Sequence, residues 1–205
     1  MKKLRRLTAF VLIGCAQLSA HAEVSIVKII NFSCEFCKAS EAMDEPIRRA
    51  IEATGGRMVY ATLPADENAD GSRELVYYAA RDAMPKEEPL IRRSLFRGAQ
   101  DLGYPLVTVG QTVEWLNTDL VALKYDWTLL PALAEGRDAR AAYKRAIALT
   151  VKAGATILPS YVIVRDGALL RTLDVDSAGG TYTALREAVL SAIEKAAVPK
   201  PATVK

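Results

Sequence analysis

The sequence predicts an α/β sandwich interrupted in its middle by a block of helices. Three observations carry that prediction. A β-branched apolar run is followed by the pair Cys34 and Cys37, a helical pattern and a second strand run. The stretch from Asp66 to Gly136 then reads as helix only. Finally the chain returns to two strand runs joined by a hairpin signal, and ends on an amphipathic helix.

The 205 residues begin with Met1-Lys2-Lys3-Leu4-Arg5-Arg6, an apolar stretch from Leu7 to Leu18, and Ala20-His21-Ala22. These are the three parts of a secretory signal peptide, with cleavage expected after Ala22. The apolar stretch is short for a membrane span. An alternative is that Leu12-Ile13-Gly14-Cys15 resembles the lipobox of bacterial lipoproteins, which would anchor the domain through Cys15; the Ala20-His21-Ala22 site is preferred. Either reading has the domain face an oxidising compartment.

The leader holds four of the 27 basic residues and none of the 24 acidic ones, so the mature chain carries 23 against 24. The basic balance of the whole chain therefore belongs to its leader, and nothing points to nucleic acid as a partner. The only histidine, His21, leaves with it, and Cys34 and Cys37 are then the only cysteines. Two thiols cannot supply the four ligands of a closed zinc site, so no metal is expected.

Val24 to Phe32 reads as a largely buried strand. Cys34 follows at the strand-to-helix junction, where unpaired backbone N–H groups and the helix dipole favour a thiolate, the form that attacks disulfides. A purely structural bridge between Cys34 and Cys37 closes a two-residue loop and constrains little of the unfolded chain, so redox work is the preferred reading. Met43, Ile47, Ala50 and Ile51 recur at helical spacing, Pro46 is expected to kink or divide this helix, and Gly55-Gly56 stops it. Arg57 to Leu63 reads as a second strand, parallel to the first through the crossover.

Within 66–136, Ser72 is the expected N-cap, Pro85 and Pro89 are punctuation, and Gly103-Tyr104-Pro105 is a turn. Leu75, Tyr78, Leu95, Leu102, Val113, Leu116 and Leu120, with Trp115 and Trp127, are expected to form the core of this insertion rather than to bind a ligand. Asp138 is the expected cap of a helix running through Ala153. Ile157 to Val164 returns to strand, Asp166-Gly167 is a hairpin signal, and Ala168 to Leu173 is the last strand. Leu185, Val189 and Ile193 mark the terminal helix. The expected organisation is a leader over 1–22, half-domains over 23–65 and 137–197 flanking the insertion, and a proline-rich disordered tail over 198–205.

Cys34-Glu35-Phe36-Cys37 after a strand, together with the proline loop in Ile157-Leu158-Pro159-Ser160-Tyr161-Val162, resembles the thioredoxin-fold proteins. With the helical insertion, the likeness is to the periplasmic DsbA-like thiol:disulfide interchange proteins. The resemblance implies a thioredoxin fold carrying an inserted helical subdomain and no cofactor beyond the redox-active disulfide. It implies that Pro159 is a cis proline facing the dithiol and that Leu158 offers backbone groups to an extended substrate. The residues alone leave an ordinary trans proline open.

Two departures bear on reactivity. Glu35-Phe36 stands where strongly oxidising relatives place proline and histidine; a carboxylate there opposes the thiolate of Cys34, and Phe36 supplies no cation. Lys28 stands where many relatives carry a buried acid; a lysine there favours the thiolate, unless it snorkels its amine to the surface, which is the expectation taken forward.

Implied partners are exported proteins bearing thiols or disulfides, and a membrane redox partner of the DsbB type or a reducing donor; a monomer is expected. An oxidase is favoured. The alternatives are a reductase or isomerase kept reduced by a membrane donor, and a non-redox peptide-binding or chaperone module.

Overall fold

A computed structural model describes residues 23–65 and 70–198. The expected leader, with Cys15 and His21, and the tail from Pro199 onward lie outside the described residues.

Strands β1 (Val24–Asn31), β2 (Arg57–Leu63), β3 (Ser160–Arg165) and β4 (Ala168–Leu173) form one mixed sheet in the order β2-β1-β3-β4. β1 pairs parallel with β2 and antiparallel with β3, which puts Lys28 level with Tyr60 on one side and Tyr161 on the other. A strand so placed is covered on both faces, which is why its sequence is nearly continuous in apolar residues. At the β3–β4 hairpin Asp166 and Gly167 take φ of 52° and 76°, the left-handed pair that a two-residue turn requires.

Short helix α1 (Glu35–Ala39) passes through a 3₁₀ turn (Ser40–Met43) into α2 (Asp44–Glu52), the crossover to β2. The chain is therefore divided ahead of Pro46 rather than at it. Pro46 sits in the first turn of α2, where its missing N–H leaves no helical bond unmade. Gly56 admits no side chain, since a Cβ there would lie 2.1 Å from the Val24 carbonyl oxygen.

Between β2 and β3 lie α3 (Ser72–Ala83), α4 (Glu88–Phe96), a π-helical turn (Arg97–Asp101), α5 (Val109–Asp119), α6 (Leu130–Ala134) and α7 (Arg137–Ala153). Their apolar sides meet one face of the sheet in a core that includes Ile29, Phe32, Tyr77, Leu95 and Leu116. The other face packs Val24, Ile26 and Ile163 against Ile47 and Ile51 of α2 and Leu185 and Val189 of α8 (Tyr182–Ala197). This is the thioredoxin fold with a helical insertion.

Several local expectations move. The helix expected to be capped by Ser72 has Gly71 at its N-cap; Asp70 supplies the turn, its carboxylate accepting the backbone N–H and the hydroxyl of Ser72 at 2.8 Å each. Gly136, not Asp138, caps α7. β3 begins at Ser160, after the proline loop rather than at Ile157, and β1 ends at Asn31, one residue before Phe32. Leu102, expected in the insertion core, is 60% exposed because the π turn ends beside it and the chain leaves the helix there. Trp115, Trp127, Leu75, Tyr78, Leu95, Val113 and Leu116 are buried as expected, and Leu120 is partly buried.

Candidate active site

The site starts where β1 stops. The Asn31 side-chain oxygen accepts the Ser33 N–H at 2.6 Å and its backbone carbonyl accepts the Cys34 N–H at 3.1 Å, a local turn that asparagine makes well. Cys34 thus becomes the N-cap of α1, with φ −88° and ψ 108°, and its sulfur accepts the Cys37 N–H at 3.1 Å. A cysteine does here what serine or aspartate does at other N-caps. Cys37, one turn on, is fully buried, whereas Cys34 is part-exposed.

The Leu158–Pro159 bond is cis, and the thiol of Cys34 faces the Leu158 carbonyl oxygen at an S···O distance of 3.8 Å. The fold thus brings the pair Cys34 and Cys37 to the pair Leu158 and Pro159, more than 120 residues further along the chain. Glu35 and Phe36 turn outward on α1; Phe36 is 65% exposed, and water screens the Glu35 charge.

Lys28 does not reach the surface. It is 0% exposed, because strand alternation places it in the inward series Val24, Ile26, Lys28 of a central strand, with Tyr60 and Tyr161 beside it on β2 and β3. Its ammonium donates to both carboxylate oxygens of Asp44 on α2, at 2.7 and 2.9 Å. The Tyr60 and Tyr161 hydroxyls donate to the same carboxylate at 2.9 and 3.0 Å, so Asp44 receives four hydrogen bonds and is well satisfied. Arg92 extends the cluster: its guanidinium lies 3.8 Å from the Tyr60 ring centre and pairs with Glu88 at 2.8 Å and with Glu41.

These surroundings separate the two thiols. The hydrogen bond from the Cys37 thiol brings Cys34 down to about 7, against burial, which pushes it up; the Cys37 and Phe36 N–H groups and the Lys28 charge act in the same downward sense. Cys37 is driven far up by the proton it shares with Cys34 and by burial, with Lys28 pulling back only weakly. Burial pushes the Lys28 ammonium down to about 8, although Asp44 acts to raise it. The first proton lost therefore comes from the accessible sulfur, and the buried one keeps its own.

Three side chains that no sequence pattern singled out also touch the site. Gln100 of the π turn donates to the Phe32 and Cys34 carbonyls at 2.8 and 3.1 Å. Tyr182, at the start of α8, donates to the Phe36 carbonyl at 3.3 Å. Arg73 of α3 donates to the Ser33 hydroxyl at 3.1 Å and borders a groove of about 590 Å³ that Ser33 also lines, with Tyr104, Leu106 and Val107 among its other walls. Among the described residues no group of three or more His, Cys, Asp or Glu side chains is placed to hold a metal ion, and no helix is long and apolar enough to cross a membrane.

On this thioredoxin fold an accessible thiol low in pKa therefore stands in front of a buried thiol whose pKa is raised. The fold of the described residues is similar to that of solved DsbA proteins. It superposes on Pseudomonas aeruginosa DsbA with a TM-score of 0.67 at 18% identity, covering 87% of this chain and 86% of that one. DsbA from Xylella fastidiosa gives 0.66 at 14% identity, covering 84% and 86%. The oxidoreductase NmDsbA1 from N. meningitidis gives 0.64 at 13% identity, covering 88% and 86%. No protein-family model and no curated relative matches the sequence.

Proposed function

We propose that this chain is a periplasmic thiol:disulfide oxidoreductase that passes its Cys34–Cys37 disulfide to exported proteins. The observation that carries the reading is the asymmetry of the pair: Cys34 is accessible, low in pKa and 3.8 Å from the Leu158 carbonyl, while Cys37 is buried behind it with its pKa raised. The leader-like residues 1–22 support export. We assign 66–136 as an insertion between the half-domains 23–65 and 137–197, with a tail over 198–205.

In the oxidising direction a substrate thiolate attacks the sulfur of Cys34. A substrate–Cys34 disulfide forms and the Cys34–Cys37 bond breaks, releasing Cys37 as a thiolate that takes up a proton. A second substrate thiolate then attacks the substrate's own sulfur and expels Cys34. The substrate has lost two electrons and the protein has gained them. Expulsion is easier because the Cys34 thiolate is stabilised by the Cys37 N–H and by the Lys28 charge beneath. The extended substrate segment runs along the backbone of the Leu158–Pro159 loop. Reoxidation calls for a membrane quinone-linked partner of the DsbB type.

One observation favours a second reading. The Cys34 thiol is held down to about 7 by its bonds to Cys37, nearer the thioredoxin value of about 7 than the DsbA value of about 3.5, and a thiolate no better stabilised than that would make the disulfide a milder oxidant than that of DsbA. Equilibration with glutathione decides between them. The oxidase reading predicts a reduction potential between about −120 mV and about −230 mV, and a value at or below about −270 mV moves the chain to a reductase held reduced by a membrane donor. A pair that never equilibrates with glutathione leaves only a peptide-binding role.

A further inference from the structure

The helical insertion is tied to the dithiol by one turn. Residues Arg97–Asp101 form a π-helical turn, closed by the Leu102 N–H on the Arg97 carbonyl at 3.2 Å. Such a turn is rare and is frequent at functional sites; here it closes α4 and the chain leaves the helix after it. Its first half is locked into the insertion: a Cβ on Gly98 would lie 2.7 Å from Trp115 Nε1, Trp115 donates to the Ser94 carbonyl at 2.9 Å, and Arg97 pairs with Asp119. Its second half faces the active site, with Gln100 on the Phe32 and Cys34 carbonyls and Asp101 paired with Lys38 of α1. Both groups facing Gln100 are carbonyls, so the side-chain amide must present its NH₂ and not its oxygen.

We propose that Gln100 is a positioning residue that sets the reactivity of Cys34 from the insertion. This deepens the exchange reading and rests on it, because it concerns the same sulfur. Two effects act in one direction. Bonding both carbonyls fixes the backbone on either side of Ser33, and so holds the N-cap conformation in which the Cys34 sulfur accepts the Cys37 N–H. It also draws the negative ends of two carbonyl dipoles onto a donor, at the end of the loop where the thiolate charge develops.

The test is the pH titration of thiolate absorbance in the reduced full chain, comparing the parent with Gln100→Met, which keeps the length of the side chain and removes the donor. The acid constant of Cys34 is expected to fall roughly threefold to tenfold, in keeping with the loss of a partly exposed pair of hydrogen bonds. The equilibrium constant with glutathione should move by a similar factor toward a less oxidising disulfide. A purely structural contact lowers thermal stability and leaves the titration where it was; an unchanged titration in folded Gln100→Met therefore overturns the proposal. Should that variant not fold, Gln100→Glu keeps a polar side chain of the same length and places a carboxylate against the two carbonyls. It must weaken the acidity of Cys34 further, and an unchanged titration in it is equally fatal. The titration needs no substrate. A chain that forms no mixed disulfides defeats the exchange reading without touching this result, and the converse holds.

Discussion

Beneath the dithiol, on the α2 and α8 face of the sheet, Lys28, Tyr60 and Tyr161 stand in one row across three strands and commit their polar atoms to Asp44. On the opposite face the insertion reaches the same loop through two side chains of one π turn. The lower cluster is buried and is fixed by strand register, so it supplies a constant field and cannot be altered cheaply. The upper contact is part-exposed and comes from the inserted helices. The lower contacts are held by the strands themselves, and the upper one reaches the loop from the insertion.

The largest effect follows from breaking the lower cluster. Asp44→Leu leaves the Lys28 ammonium buried without its carboxylate and is expected to cost about 3–5 kcal/mol in denaturant unfolding. Adding Lys28→Met in the same chain should recover most of that loss, because the uncompensated charge is gone. If the double variant is as unstable as Asp44→Leu alone, the cluster is not the coupled unit described.

Above the dithiol the balance should be reversed. Gln100→Met is expected to cost about 1 kcal/mol or less in the same unfolding measurement, while shifting the Cys34 titration that Asp44 variants can be tested on only after stability is restored. A stability loss as large as that of Asp44→Leu would erase the contrast between the two faces.

The pH dependence has a definite sign. Cys34 is an acid whose pKa is lowered in the fold, from 9.0 to about 7. The stability it confers on the reduced chain, relative to Cys34→Ser, is present above pH 9 and is lost as pH falls through about 7. The rate of attack on a small aromatic disulfide should rise with pH through the same region and then level off. A rise centred near pH 9 would mean that the Cys37 thiol, the Cys37 and Phe36 N–H groups and the Lys28 charge do not together stabilise the thiolate.

Glu35→Gln should change least. Its charge lies in water, so unfolding free energy should stay within about 0.5 kcal/mol of the parent and the Cys34 titration should barely move. A large shift would bring the residue between the cysteines back into control of the dithiol.

The elements built on local pattern were legible in the sequence. β2 and β4 fall on the predicted residues because short, mainly apolar runs that follow the breakers Gly55-Gly56 and Asp166-Gly167 leave few alternatives. The dithiol and Pro159 were legible as a pair of motifs. Lys28 was misread because a lysine is ordinarily a surface residue; the usable signal was its register with Val24 and Ile26, together with a tyrosine at the matching place in each neighbouring strand. Gln100 and Tyr182 could not be found, since no periodicity marks a π turn or tells which end of a helix faces a loop about 65 or 145 residues away.

Covalent capture tests the central claim most directly. The full chain carrying Cys37→Ala, incubated with unfolded exported proteins that bear thiols and disulfides, is expected to accumulate mixed disulfides through Cys34 that reductant releases. Cys34→Ala should form none. If Cys37→Ala captures nothing, or if Cys34→Ala captures as much, the pair is not an exchange centre and the account fails.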